Sequence, residues 1–204
     1  MRTRLNEMRG LLIAFEGLDQ SGKQTQAGLL RDRLTAAGRT VRLLSFPDYD
    51  TAIGFEIGRG LRGERDYGPD VMQLLYVANR YEKKAEIAKA IDAGTIIVCD
   101  RYLASSIAYG EAQGLDGGWL SSIQTHLPQP DLTILLDIPP EVSAKRKTAD
   151  RDKYERDLAL LGRVRESYLR QASQGWTRVN ADRDRDEVAD DVYHAMWRFL
   201  EGPT

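Results

Sequence analysis

The stretch GLDQSGKQT, residues 17–25, follows the apolar run of residues 11–15 and precedes a segment with helical spacing. A strand, a glycine-rich turn and a helix in this order are typical of a phosphate-binding loop, whose backbone N–H groups surround phosphate oxygens. Lys23 adds a positive charge at the helix N-terminus, where anions are already favoured. The sequence therefore predicts a nucleotide-phosphate site formed by Gly17, Leu18, Asp19, Gln20, Ser21, Gly22, Lys23, Gln24 and Thr25.

One position of this loop departs from the usual pattern. Such loops place a Ser or Thr directly after the lysine, where its hydroxyl binds Mg²⁺. This chain has Gln24 there and Thr25 one residue later. Three ways of holding the metal therefore stay open, namely Thr25, water molecules or substrate oxygens alone.

Composition is that of an ordinary soluble globular protein. The 204 residues suit one domain spanning 1–204, and 42% of them are hydrophobic while 29% are charged. The net charge of −2 argues against a broad nucleic-acid-binding surface. The apolar runs are far shorter than the roughly 20 residues of a membrane-spanning helix, and residues 1–10 are expected to form a short solvated tail.

The single cysteine, Cys99, excludes an internal disulfide framework and fits a reducing, cytoplasmic location. It lies in the apolar run of residues 95–99, which predicts a buried and unreactive thiol. Neither His126 nor His194 belongs to a motif, and the three tryptophans are expected to pack in the structure.

Short apolar or β-branched runs alternate with longer segments of helical spacing. The predicted strands are residues 11–15, 41–46, 95–99, 132–136 and 177–179, and the predicted helices are 24–37, 70–93, 157–174 and 187–200. This alternation predicts an α/β fold of three layers, in which a five-stranded parallel sheet is flanked by helices. Ligands of such sheets bind at the carboxyl ends of the strands.

Polar residues follow the predicted strands, as that rule requires. They include Glu16, Asp48, Asp100 and Asp137. Asp100 closes the strand beside the phosphate loop, where phosphate-loop enzymes place a carboxylate that holds Mg²⁺ or its waters. The alternative is that Asp100 caps the next helix. Arg101 follows at once and suits bidentate contact with phosphate.

Tyr76 and Arg80 lie four residues apart on a predicted helix and share a face. An aromatic ring that stacks on a base, one turn from an arginine that reads its edge, would form a nucleobase pocket. Packing with a surface salt bridge is the alternative for this spacing alone.

Four motifs, in this order, resemble thymidylate kinase. They are FEGLDQSGK at residues 15–23, Phe46-Pro47, ANR at residues 78–80 and DRYLASSIAY at residues 100–109. The resemblance extends from about residue 11 to residue 200, and the last motif is specific to this family among phosphate-loop kinases. It implies a phosphate-loop kinase fold and transfer of the γ-phosphoryl group of ATP to dTMP, with Mg²⁺.

The resemblance also implies roles for individual residues on the acceptor side. Asp19 would contact the 3′-hydroxyl of dTMP, Tyr76 would stack on thymine and Arg80 would bond to its edge. Other residues implied at the substrate are Phe46, Pro47, Arg101 at the phosphate, Ser105 at the base and Tyr109 under the deoxyribose. Tyr154 is also implied, at the far end of a lid formed by about residues 145–154.

On the donor side, the resemblance implies a lid at about residues 145–154 that closes over ATP. Arg146 would bind the nucleotide, and the loop with Ala181 and Arg183 would hold adenine largely through backbone atoms. The family also implies a homodimer formed through helices such as residues 70–93.

Two departures from the family pattern affect catalysis. The loop after Phe46-Pro47 lacks the arginine that some members use on the dTMP phosphate, so that task would fall to Arg101 or to a metal ion. Position 20 is Gln rather than Arg, so the catalytic cation would come from the lid. The candidates are Arg146, Lys147, Arg151 and Lys153, of which Arg151 is favoured for the transferred phosphoryl group; a solvated charge run is the alternative.

Lys23, Asp100, Arg101, Arg146 and Arg151 thus form the expected catalytic set. Two other functions stay open: another nucleoside monophosphate or deoxynucleoside kinase, and a non-catalytic nucleotide-binding protein. A GTPase is remote because the chain has no Asn-Lys-x-Asp motif.

Overall fold

A computed structural model describes residues 9–146 and 157–201. Strands and helices alternate along these two ranges. The strands are β1 (Leu12–Glu16), β2 (Val41–Ser45), β3 (Ile96–Asp100), β4 (Leu132–Asp137) and β5 (Thr177–Asn180). The helices are α1 (Lys23–Ala36), α2 (Ala52–Leu61), α3 (Pro69–Asp92), α4 (Leu103–Ala112), α5 (Gly117–Ser122), α6 (Pro140–Arg146), α7 (Leu158–Ala172) and α8 (Arg185–Glu201).

The five strands form one parallel sheet in the order β2-β3-β1-β4-β5. Successive side chains of the central strand β1 point to opposite faces. Ile13 and Phe15 belong to the same apolar cluster as Leu30 of α1, whereas Leu12 belongs to the cluster that contains Ile87 of α3. The three-layer α/β fold expected from the sequence is confirmed.

The strands β1, β3 and β4 end one residue later than predicted. Glu16, Asp100 and Asp137 were expected to follow their strands, but each is the last residue of its strand. Their polarity makes them look like loop residues, although the parallel ladder continues through them. The carboxyl edge of the sheet is therefore lined by strand carboxylates.

Four helices, α2, α4, α5 and α6, were not predicted. The helix α2 has glycine at positions 54, 58 and 60, and glycine disfavours helices in isolation. A Cβ atom on Gly54 would lie 1.8 Å from the Asp48 carbonyl oxygen, so the close approach of α2 to the preceding loop requires glycine there. Thr51 caps this helix by accepting a bond from the Gly54 N–H.

The prediction of a solvated tail over residues 1–10 is wrong at residue 10. Gly10 is buried, and its N–H donates to the Ile91 carbonyl of α3 over 2.9 Å. A Cβ atom at this position would lie 2.1 Å from the Thr95 carbonyl oxygen. Residues 1–8 lie outside the described residues.

Cys99 is fully buried in the sheet, as expected. Burial raises the pKa of its thiol above the usual range, which keeps it protonated. In the described ranges, no helix combines the length and the apolar character needed to cross a membrane.

Candidate active site

The loop between β1 and α1 has the backbone shape of an anion-binding turn. Gly17, Gln20 and Gly22 have φ angles of 141°, 59° and 91°. Gly17 also approaches the neighbouring strand so closely that a Cβ atom would lie 2.4 Å from the Leu136 carbonyl oxygen. Gly22 directly precedes α1 and supplies no side-chain cap, so the first N–H groups of the helix face the loop.

Lys23 is the buried cation of this loop. Its Nζ donates to the Leu18 carbonyl over 2.7 Å. Burial lowers the pKa of its ammonium group to about 8, and the nearby Arg101 charge acts in the same direction. Lys23, Gln24, Thr25 and Asp100 line one cavity of about 310 Å³, which we call the phosphate cavity.

A second cavity, of about 100 Å³, lies beside the first and is called the acceptor cavity below. Tyr76, Arg80, Ser105 and Tyr109 line it, and these are the residues to which the resemblance gives roles at the base and sugar. Five residues line both cavities, namely Asp19, Phe46, Pro47, Tyr49 and Arg101. The two cavities therefore share one wall, which brings a ligand of the first next to a ligand of the second.

Arg101 forms the centre of that wall. It has a φ of 64°, which turns its side chain back over the phosphate loop. Its guanidinium donates to the Asp19 carboxylate, the Gly17 carbonyl, and the hydroxyls of Ser105, Tyr109 and Tyr168. Arg101, which the sequence predicts to contact phosphate, is thus held in place by hydrogen bonds from the protein itself.

Asp19 is held in its charged form by the same contacts. Burial on its own would raise the pKa of this carboxyl, but the charges of Arg101 and Lys23 and the hydrogen bond from Tyr109 hold it far below its ordinary value. Asp19 therefore offers a permanent acceptor to a ligand hydroxyl.

Glu16 is fully buried beneath this network. Its carboxylate accepts bonds from the Tyr102 N–H at 2.9 Å and from the Ser105 hydroxyl at 2.6 Å, and the Tyr168 hydroxyl lies 3.3 Å away. Glu16 thereby fixes the start of α4. Tyr168 joins α7 to the site although it is 67 residues from Arg101 along the chain, and the sequence contains no motif that reveals it.

Arg80 is also buried, which excludes the surface salt bridge considered from the sequence. Its Nη1 donates to the Ser106 hydroxyl over 2.7 Å and lies 3.5 Å from Gln124 Oε1. It forms no ion pair with any described residue, and burial lowers the pKa of its guanidinium. Ser106 lines the acceptor cavity and Gln124 contacts Arg80; neither was predicted from the sequence as a site residue.

Comparisons with known proteins agree with this geometry. The profile of the family "Thymidylate kinase" matches residues 15–192. A thymidylate kinase of Schizosaccharomyces pombe is 41% identical over 72% of this chain and 70% of that protein, and one of Caenorhabditis elegans is 34% identical over 92% and 90%. A solved thymidylate kinase structure from Candida albicans superposes with a TM-score of 0.76 at 31% identity, covering 95% of this chain and 92% of that one.

The chain belongs to the thymidylate kinase family.

The family match includes every residue that lines the phosphate and acceptor cavities. The loop after β2 contributes Tyr49 to the shared wall, and residues 46–51 contain no arginine. Asn79, whose role the sequence did not reveal, fixes this loop. Its side chain accepts from the Asp48 N–H and donates to the Asp48 carbonyl and to Thr51.

Of the lid expected at about residues 145–154, the structure describes only the start, which ends at Arg146, the last residue of α6. Its guanidinium donates to the Gln20 carbonyl at 3.1 Å and to the Ala181 carbonyl at 2.9 Å. Arg146 thus joins the phosphate loop to the loop after β5. The Arg183 side chain instead pairs with Asp191 of α8. The remaining lid residues of the prediction, Lys147, Arg151, Lys153 and Tyr154, lie outside the described residues.

The residues at the phosphate cavity fit a magnesium ion held together with phosphate. Asp100 and Thr25 line the same cavity, and Mg²⁺ in nucleotide sites takes one or two protein ligands plus phosphate oxygens and water. Among the described residues, there is no group of three or more His, Cys, Asp or Glu that would bind a metal by itself.

Proposed function

We propose that this chain transfers the γ-phosphoryl group of ATP to dTMP, producing ADP and dTDP for dTTP synthesis. The observation that supports this most directly is the shared wall of Asp19, Phe46, Pro47, Tyr49 and Arg101 between the phosphate and acceptor cavities. A phosphoryl group leaving one cavity meets an acceptor in the other without crossing open solvent. Positioning of this kind is the main contribution of proteins to phosphoryl transfer.

On the donor side, the N–H groups of the phosphate loop and the Lys23 ammonium bind the β- and γ-phosphates. Lys23 exchanges its bond to the Leu18 carbonyl for one to phosphate. Arg146, with the Ala181 carbonyl beside it, lies next to the nucleotide. Asp100 and Thr25 would hold Mg²⁺, which supplies neutralisation of phosphate charge when bound.

On the acceptor side, thymine stacks on Tyr76 and its edge faces Arg80. The Asp19 carboxylate is proposed to accept a bond from the 3′-hydroxyl of the sugar, and the Tyr109 ring to lie under the deoxyribose and exclude a 2′-hydroxyl. Arg101 contacts the acceptor phosphate. An oxygen of that phosphate, already anionic, forms the new bond to the γ-phosphorus while the bond to the β-phosphate oxygen breaks, so no general base is needed.

Closure of the lid at about residues 145–154 is proposed to bring Arg151 to the transferred group and to exclude water. Exclusion of water limits hydrolysis of ATP. We also propose that this kinase domain extends over the whole chain, acts in the cytoplasm and needs no nucleic acid or membrane.

A homodimer is proposed as the functional assembly. Phe55 of α2 and Leu74 of α3 are 61% and 47% exposed, and Val71 lies one turn before Leu74. The helices α2 and α3 pack against each other, and exposed apolar side chains on neighbouring helices are typical of an interface. The opposite face of α3 carries Tyr76 and Arg80.

An acceptor panel tests the activity. The purified chain is incubated with ATP, Mg²⁺ and one acceptor at a time. The acceptors are dTMP, dUMP, dCMP, dGMP, ribothymidine monophosphate and free thymidine. Both ADP release and the phosphorylated product are measured. We expect the highest kcat/KM with dTMP, and a kcat lowered by several orders of magnitude in Lys23→Ala. A preference for free nucleosides or for another monophosphate would indicate a different kinase, and tight ATP binding without acceptor-dependent ADP release would indicate a non-catalytic nucleotide-binding protein.

A further inference from the structure

Tyr168 is a fully buried side chain of α7 whose hydroxyl lies inside the network around Arg101. The residue is 1% exposed, and its ring belongs to the larger apolar core cluster. The hydroxyl oxygen lies 2.8 Å from Ser105 Oγ, 3.2 Å from Arg101 Nη1 and 3.3 Å from a Glu16 carboxylate oxygen. A ring fixed by packing therefore brings one hydroxyl of α7 to partners from β1, from α4 and from the residue that follows β3.

The direction of these hydrogen bonds follows from the number of protons. Ser105 has a single hydroxyl proton, which it donates to Glu16 over 2.6 Å. The proton between Tyr168 and Ser105 must therefore come from Tyr168. Burial raises the pKa of the Tyr168 hydroxyl well above its ordinary value, so this proton stays in place. Because Arg101 has only donors, a chain of donors runs from its guanidinium through the two hydroxyls to the buried carboxylate.

The network engages both terminal nitrogens of the Arg101 guanidinium. Nη1 has two hydrogens for three acceptors, namely the Gly17 carbonyl at 3.1 Å, Ser105 at 3.1 Å and Tyr168 at 3.2 Å. Nη2 donates to one carboxylate and one further hydroxyl. Nε has no hydrogen-bond partner among the described residues, so its N–H is the donor left for a ligand. The orientation of the guanidinium therefore decides where that donor points.

We propose that Tyr168 is a positioning residue of the phosphoryl transfer, because its hydroxyl fixes the orientation in which Arg101 presents Nε–H to the acceptor phosphate. This inference rests on the proposed function, which places that phosphate at Arg101. Without the hydroxyl, the guanidinium loses the partner that ties it to α7 and gains freedom to rotate. Tyr168 lines neither the phosphate cavity nor the acceptor cavity, so it acts through Arg101 and does not touch the substrate.

Ligand binding by Tyr168→Phe tests this role without relying on turnover. Phenylalanine retains the ring in the core and removes only the hydroxyl. The ligands are dTMP and thymidine, which differ by the phosphate, so the ratio of their Kd values measures the phosphate contact. We expect Kd for dTMP to rise about tenfold, the effect of one charge-assisted hydrogen bond, while Kd for thymidine stays unchanged. Isothermal titration calorimetry measures both.

Tyr81→Phe is the matched control. The Tyr81 hydroxyl donates to the Ile123 carbonyl over 3.2 Å, and the residue lines neither cavity. This variant also loses one hydrogen bond of a tyrosine hydroxyl, so its Tm should fall while its Kd values for both ligands stay unchanged. A merely structural role of Tyr168 would instead weaken the binding of dTMP and thymidine alike, which would contradict the proposal.

A double-mutant cycle shows whether Tyr168 acts through Arg101. Arg101→Lys keeps the positive charge as a point charge and lacks the planar group that the network orients. Tyr168→Phe should lower kcat/KM for dTMP about tenfold in the unaltered chain and should have little effect in the Arg101→Lys background. If Arg101→Lys does not fold, Ser105→Ala takes its place, because it breaks the same chain of donors and should leave Tyr168→Phe little further effect.

Two results would overturn the inference while leaving the kinase activity established. One is an equal loss from Tyr168→Phe in both backgrounds of the cycle. The other is an unchanged ratio of Kd for thymidine to Kd for dTMP in Tyr168→Phe. If the unaltered chain does not phosphorylate dTMP, the proposed function and this inference both fail.

Discussion

The Arg101 guanidinium lies 2.5 Å from the Asp19 carboxylate, which joins the end of β3 to the phosphate loop. Both residues line the phosphate cavity and the acceptor cavity. The pair therefore has two tasks, since it holds the shared wall together and presents charges to both ligands. Charge-assisted bonds of this kind are strong and directional.

We expect Asp19→Asn to weaken the folded state and to change its dependence on pH. The pKa of the Asp19 carboxyl is below its ordinary value of 3.8 in the folded protein. The folded state therefore binds fewer protons than the unfolded state in acid, and the free energy of unfolding falls as the pH drops below about 4. Loss of the carboxylate charge leaves Arg101 without its anionic partner, which should cost about 2 kcal/mol at pH 7.

Urea denaturation at pH 3, 4, 5 and 7 measures this effect. Because Asp137 also has a lowered pKa, the unaltered chain should still lose stability in acid, and the difference between the two proteins isolates Asp19. That difference should shrink from pH 7 to pH 3. A difference that stays constant over this range would show that the Asp19 charge does not stabilise the fold.

Lys23 should make ATP use sensitive to alkaline pH. Its pKa of about 8 means that the free enzyme loses this positive charge above pH 8. Since kcat/KM reports ionisation of the free enzyme, kcat/KM for ATP should fall about tenfold per pH unit above that point. Bound phosphates favour the charged lysine, so kcat should decline only at higher pH.

The variants Lys23→Arg and Lys23→Ala serve as controls for this profile. An arginine stays charged over the whole range, so its activity, although lower, should show no step near pH 8. Lys23→Ala should lower kcat by several orders of magnitude while the circular dichroism spectrum stays unchanged. Activity of Lys23→Ala within threefold of the unaltered chain would contradict the assignment of the phosphate loop.

The sequence predicted the sheet and the phosphate loop because both depend on local patterns. Buried parallel strands are continuous apolar runs, and residues 17–25 carry their signal in nine consecutive positions. The helix α2 was missed because glycines at 54, 58 and 60 disfavour a helix until it packs against the rest of the protein. Intrinsic helix propensity does not include the stabilisation that comes from such tertiary packing.

Several residues of the candidate site were missed for the same reason. Tyr168 is an ordinary residue type on the amphipathic helix α7, and the ANR motif indicates no structural role for Asn79. Their importance follows from contacts with residues far away in sequence, such as Tyr168 with Ser105 and Asn79 with Asp48. Such pairs become visible only when the fold brings the elements together.

Arg146 and Arg151 should have separable effects on the kinetics. Arg146 contacts the Gln20 and Ala181 carbonyls and so shapes the nucleotide site, and Arg146→Ala should mainly raise KM for ATP. Arg151 is proposed to contact the transferred group only in the transition state, and Arg151→Ala should lower kcat about 10³-fold with little change in KM. Steady-state kinetics with dTMP at saturation measures both. Unchanged kcat in Arg151→Ala would move the catalytic cation to another lid residue.

Leu74→Glu should convert the proposed dimer into a monomer. Leu74 is an exposed apolar residue of α3 in the proposed interface. A carboxylate there would face its own copy across a two-fold axis, where like charges repel. Light scattering coupled to size-exclusion chromatography should give twice the chain mass for the unaltered protein and a single chain mass for Leu74→Glu. Phe199→Glu, on the exposed side of α8, is the matched control and should remain dimeric.

The same variant shows whether assembly supports catalysis. The helix α3 carries Leu74 on its exposed surface and Gln73, Tyr76 and Arg80 in the acceptor cavity. If the interface fixes this helix, monomeric Leu74→Glu should have a higher KM for dTMP, by about threefold to tenfold, with KM for ATP nearly unchanged. The contacts of Arg80 with Ser106 and Gln124 lie within one chain, so the fold and a residual kcat should persist. A monomeric mass for the unaltered chain at micromolar concentration would contradict the dimer. Equal KM values for dTMP in the dimeric unaltered protein and in monomeric Leu74→Glu would show that the acceptor cavity is complete in one chain.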